Sequence, residues 1–149
     1  MRLMGMMMLI PFLVIAGYSY NAPSRNATGG LTMQIKISFG DTSLTATMLH
    51  NPTTRDFLSK LPMELKLEDY AGTEKISKLP GRLTIQDAPA ATDASKGDIT
   101  YYSPWGNLAI FYRDFGSAKG LVRLGKIDSG LEILVKACEA PCNVRIERL

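Results

Sequence analysis

Residues 97–116 read G-D-I-T-Y-Y-S-P-W-G-N-L-A-I-F-Y-R-D-F-G, and they decide how the rest of the chain is to be folded. The stretch holds the single Trp (Trp105), three of the six Tyr (Tyr101, Tyr102, Tyr112) and two of the five Phe (Phe111, Phe115). Ile99 to Tyr102 is β-branched and aromatic, Pro104 and Gly106 punctuate, and Leu108 to Tyr112 is an unbroken apolar run. The pattern predicts strand, turn, strand. A strand without polar alternation is covered on both faces, so Leu108 to Tyr112 belongs at the centre of a sheet or barrel.

The flanks extend that reading. Leu31 to Phe39 alternates, with Leu31, Met33, Ile35, Ile37 and Phe39 on one face and Thr32, Gln34, Lys36 and Ser38 on the other. Gly40-Asp41 turns it into a hairpin whose second arm is Leu44 to Leu49. A helix is expected near Thr53–Lys60, capped by Thr53 or Thr54 and ended by Pro62. Met63 to Tyr70 alternates again, whereas Ala71 to Ala94 has little periodicity and reads as a long loop. Gly116 to Gly120 reads as a turn, Leu121 to Ile127 as a strand and Val144 to Ile146 as the last strand. A second helix is expected near Ser129–Lys136, with Asp128-Ser129 at its start. Strands, helix, strands, helix, strand, with no βαβ alternation, point to a mostly antiparallel barrel or sandwich whose ends are plugged by helices.

The chain has 149 residues and a formal charge of +3, with no basic run that would mark a nucleic-acid footprint. Arg2 followed by the apolar stretch Leu3 to Ala16 resembles a secretory signal. As a helix that stretch would cover about 21 Å, short of the roughly 30 Å hydrocarbon core. Residues 1–19 are therefore expected to be a signal peptide, cleaved near Ala16 or Ser19; an uncleaved N-terminal anchor is the alternative. Residues 20–30 form a polar, Gly-rich linker, with a formal glycosylation sequon at Asn26-Ala27-Thr28, and 31–149 make one domain. The expected location is the periplasm or outside the cell, with no membrane contact once the signal is removed. Cys138 and Cys142 enclose E-A-P, and in an exported protein such a pair can close a small disulfide loop. Two buried free thiols are the alternative reading. A metal site would need further ligands, and the single His50 lies far off in sequence.

Five blocks of the chain taken together resemble the bacterial cyclophilin-like family. They are M-x-I-x-I-x-F-G-D from Met33, N-P-T-x-R-D-F from Asn51 and L-x-L-E-D-Y-A-G-T-E-K-I from Leu65. G-D-I-T-Y-Y-x-P-W-G-N-L-A-I-F-Y from Gly97 and G-L-V-x-L-G-x-I-D-S-G from Gly120 complete the set. The resemblance runs from about Met33 to Ile146 and implies a closed, eight-stranded, mainly antiparallel barrel with two short helices. It implies fold more than activity. Prolyl isomerases carry an F-H-R strand whose Arg stabilises the twisting imide, with Gln and Phe lining the proline pocket. Here His50 precedes Asn51-Pro52 at a turn and Arg55 lies on the first helix.

Each group of chemistry-bearing residues also has a plainer role open to it. Asp69 and Glu74, with Glu68, make a carboxylate cluster beside Tyr70 that could serve acid–base or metal chemistry, or simply form a solvated rim. Tyr101, Tyr102, Trp105 and Tyr112, with the amide of Asn107, combine apolar faces with polar tips in the way small-molecule and peptide sites do. The alternative for these aromatics is core filling and cover for a barrel mouth, across which Trp105 would project half covered. The expected ligand-binding set is Tyr70, Glu74, Tyr101, Tyr102, Trp105, Asn107 and Tyr112, with no catalytic residue, metal or cofactor. The partner is a small molecule or an extended peptide. The function expected is non-catalytic binding, with a divergent peptidyl-prolyl isomerase as the alternative.

Overall fold

In a computed structural model, residues 32–149 are described. The signal peptide, the linker and Leu31 lie outside the described residues. The alternating segment forms β1 (Met33–Phe39), with Ile35, Ile37 and Phe39 buried. It pairs antiparallel across its whole length with β2 (Thr42–Met48), from Met33↔Met48 to Phe39↔Thr42. Helix α1 (Pro52–Ser59) follows, but its cap is Asn51, ahead of both threonines: the Asn51 side-chain amide oxygen accepts the Thr54 N–H at 2.8 Å. Thr53 and Thr54 are instead buried, and the Thr54 hydroxyl donates to the Leu124 carbonyl.

Strand β3 (Met63–Tyr70) has the expected alternation, with Met63, Leu65 and Leu67 inward. The segment read as a long loop departs from expectation. It holds β4 (Glu74–Lys78), a full barrel strand, and β5 (Ala91–Ala94). Strand β6 (Asp98–Tyr102) and β7 (Asn107–Phe111) form the aromatic hairpin, Ile99↔Ile110 to Tyr102↔Asn107. The expected turn at 116–120 is also a strand for most of its length, β8 (Phe115–Lys119), which pairs with β5 as a separate two-stranded ribbon. Then come β9 (Leu121–Ile127), α2 (Leu131–Ala137) and β10 (Cys142–Arg148).

The eight remaining strands close a fully antiparallel barrel in the order β1-β10-β3-β4-β7-β6-β9-β2. Closure leaves the barrel no free edge. Ile35, Ile37, Leu67, Leu108, Ile110, Leu124 and Ile146 fill its interior, with Phe57 and Leu58 of α1 and Leu131 and Leu134 of α2 in the same core. α1 follows the end of β2, and α2 follows the end of the antiparallel β9, so the helices close opposite ends. Where β2 meets β9, Gly125 permits a tight approach: a Cβ there would lie 2.5 Å from the Thr47 carbonyl oxygen.

Asp128 does not cap α2. Gly130 stands at the cap in a left-handed conformation, and the Asp128 carboxylate accepts from the Thr45 and Thr47 hydroxyls, both at 2.7 Å. Cys138 and Cys142 form a disulfide between the end of α2 and the start of β10, with Cα atoms 5.1 Å apart. Among the described residues no helix is long and apolar enough to cross a membrane.

β7 is buried at every position, as its unbroken apolar run predicts, and the cause lies in two layers of cover. Leu108 and Ile110 face the barrel core. Ala109 and Phe111 face outward and are packed with Ala94, Leu121 and Ala118 under the β5–β8 ribbon.

Candidate functional site

The ribbon does not seal the outer wall completely. Between it and β4, β7 and β6 lies a recess of about 210 Å³, lined chiefly by aromatic and small apolar side chains. Strand register explains how it is built. Tyr70, Glu74 and Phe111 stand opposite one another across β3, β4 and β7, and Ile76 stands opposite Ala109 in the next outward-facing row. Asn107, Tyr102 and Leu121 make the following row across β7, β6 and β9. Phe115 and Ala118 of β8 close the side.

Trp105 bridges the rows. Its ring meets Tyr70 edge-on at 5.5 Å and 87°, and Tyr102 edge-on at 5.4 Å and 79°. Edge-to-face contacts of this kind fix ring orientation. Trp105 is 50% exposed, with Tyr70 at 42% and Phe115 at 46%. The turn that carries it is held on several sides. The Gly106 N–H donates to the Tyr102 carbonyl at 2.9 Å and the Ser103 N–H to the Gly120 carbonyl at 2.9 Å. Arg82 Nη1 donates to the Ser103 carbonyl at 2.7 Å. Trp105 therefore lies over the outer wall, and the expectation that it spans a barrel mouth does not hold.

Two polar groups enter the recess, the Glu74 carboxylate and the Asn107 amide. Neither side chain has a hydrogen-bond or ion-pair partner among the described residues, although Asn107 is only 8% exposed. Burial pushes the Glu74 carboxyl above its ordinary value, because the charged form gives up water and gains no counter-charge.

Five of the seven expected residues come together here: Tyr70, Glu74, Tyr102, Trp105 and Asn107. The other two lie elsewhere. Tyr101 points into the barrel, 1% exposed, and its hydroxyl accepts the buried Leu83 N–H at 3.2 Å. Strand alternation sends Tyr101 inward with Ile99 and leaves Tyr102 outward. Tyr112 lies past the end of β7, where its hydroxyl donates to Asp69 Oδ1 at 2.6 Å. The Lys75 ammonium, 4% exposed, donates to the same Asp69 oxygen at 2.9 Å and to the Cys138 carbonyl at 2.8 Å, 5.3 Å from the Tyr112 ring centre. The Tyr112 hydroxyl, and after it the Lys75 ammonium, hold the Asp69 carboxyl below its usual range. Burial, and then that same bond, push the Tyr112 phenol up to about 12.

The carboxylate cluster is thus divided by the sheet, Glu74 outside and Asp69 with Lys75, while Glu68 is solvent-exposed. His50 is exposed between β2 and α1. Phe111, Phe115, Ile76 and Ala118 line the recess without having been expected there. The signal for Phe111 was its spacing from Asn107 and Ala109, four and two residues on along one strand face.

Residues 37–147 match a family model described as the cyclophilin-like family. In three dimensions the chain is similar to the solution structure of a hypothetical protein from Archaeoglobus fulgidus, with a TM-score of 0.59 and 16% identity. That match covers 83% of this chain and 99% of the other, and it is a likeness of fold. No curated protein matches the chain.

Proposed function

We propose that this chain, which belongs to the cyclophilin-like family, is a non-catalytic binding module whose ligand is held in the aromatic recess beneath Trp105. The observation that carries the reading is the cavity itself, walled by Trp105, Tyr70, Tyr102 and Phe111 and lined by two polar side chains, Asn107 and Glu74, that have no hydrogen-bond partner among the described residues. Apolar walls with a few unpaired polar groups are how small-molecule sites are built, and a ligand can engage both. The volume lies below the usual drug-sized range, which favours a small molecule or a single group of an extended peptide over a large ligand. We further propose that the protein is exported and works in an oxidising compartment, as its disulfide favours.

An isomerase would need a fixed donor aimed at a proline carbonyl as the imide twists. No lysine or arginine lines the recess, so that role would fall to Asn107 alone. Trp105 is the single Trp and its emission reports this place. A ligand should shift or quench it, and Trp105→Ala should weaken binding by about 1–3 kcal/mol, the range of a hot-spot anchor. Loss of stability with unchanged binding would leave Trp105 a purely structural role. Turnover of a proline peptide by the purified protein, lost in Asn107→Ala, would replace the binding reading with the catalytic one.

A further inference from the structure

The recess carries one formal charge and nothing of its own to balance it. Glu74 is negative, Tyr70 and Tyr102 are the other titratable side chains lining it, and no lysine or arginine does. The recess that Glu74 lines is otherwise rich in aromatic rings, whose π faces are electron-rich: Trp105 with Tyr70 and Tyr102 against it, and Phe111 and Phe115, 5.6 Å apart. Ring faces with a carboxylate make a site that attracts a cation and disfavours an anion. We infer that the recess takes the head group of an organic ammonium ion, set against the Trp105 ring and balanced by the Glu74 carboxylate. This rests on the recess being the binding site.

The same hairpin already shows how the protein holds such a group. Lys75, next to Glu74 in sequence, places its ammonium near the Tyr112 ring, against the Asp69 carboxylate and one carbonyl oxygen. The recess repeats those parts with rings, a carboxylate and the Asn107 side-chain amide, and lacks the ammonium. The charge matters as much as the shape. Glu74 loses hydration in the recess, and an arriving cation supplies the counter-charge that water no longer provides. A neutral molecule of equal size fills the same space and leaves Glu74 uncompensated.

The test uses the purified protein and three probes followed through Trp105 emission and calorimetry: butylammonium, 1-butanol as its neutral counterpart, and N-acetyl-lysine methylamide. Butylammonium should bind at least about tenfold more tightly than 1-butanol, and Glu74→Gln should abolish the difference while retaining the fold. Binding of the cation should also weaken as pH falls and Glu74 is protonated. Tighter binding of the lysine derivative would assign the ammonium to a peptide, and tighter binding of butylammonium to a free amine; either supports the inference. Equal response to butylammonium and 1-butanol, unchanged in Glu74→Gln, would overturn the ammonium reading and leave the recess a binding site. Absence of any response at Trp105 to all three probes would overturn both.

Discussion

Tyr101 and Tyr102 are adjacent in sequence and have opposite fates. Tyr101 hangs in the barrel core and accepts a buried backbone N–H, while Tyr102 stacks edge-on against Trp105 outside. Tyr101→Phe leaves the Leu83 N–H without its partner, so it should cost about 1–3 kcal/mol in chemical denaturation and leave ligand binding unchanged. Glu74 behaves in the opposite sense to most surface carboxylates. Its folded pKa lies above the unfolded value of about 4.3, so its protonated form favours the fold. That contribution is complete below the unfolded value and is lost as pH rises through the folded one. Without ligand, Glu74→Gln should therefore melt higher than the parent at pH 7 and converge with it at pH 4. Asp69 works the other way: its lowered pKa stabilises the fold above about pH 3.9 and fails as pH drops through the folded value.

At the level of elements, much of the barrel was legible and its cover was not. β1, β3 and β9 show regular apolar spacing or runs, and β7 shows a run that only two-sided burial explains. β4 was missed because its inward residues are Lys75 and Ser77, and their burial depends on partners such as Asp69 that are assembled by the fold. β8 reads F-G-S-A-K, with nothing in its composition to favour a strand, and it exists by pairing with β5, more than twenty residues away. Because that ribbon forms one wall of the recess, the site could be glimpsed in the aromatics and not outlined. Gly120 ties ribbon and turn together. Its φ is +76°, and a Cβ there would lie 2.9 Å from Pro104 Cδ and from Ser103 Oγ. Gly120→Ala should displace the Trp105 turn, lowering the melting temperature and shifting Trp105 emission together. An unchanged spectrum would show that the turn is positioned from elsewhere.

In the molecule as a whole, a barrel closed by two helices provides a rigid wall, and the ribbon laid on that wall leaves one aromatic recess open. The Cys138–Cys142 bridge ties the end of α2 to the start of β10, where the Cys138 carbonyl accepts from Lys75. Alkylation of the unfolded, non-reduced protein should leave both cysteines unmodified; two labelled thiols would remove the support for an oxidising compartment. The central claim is that the recess holds a ligand. Native mass spectrometry of freshly purified protein, beside an Ala118→Trp variant that fills the recess, tests it most directly. The account predicts a discrete added mass on the parent that is released on unfolding and absent from the variant. A bare polypeptide mass for the parent, or the same added mass on a folded Ala118→Trp variant, would contradict it.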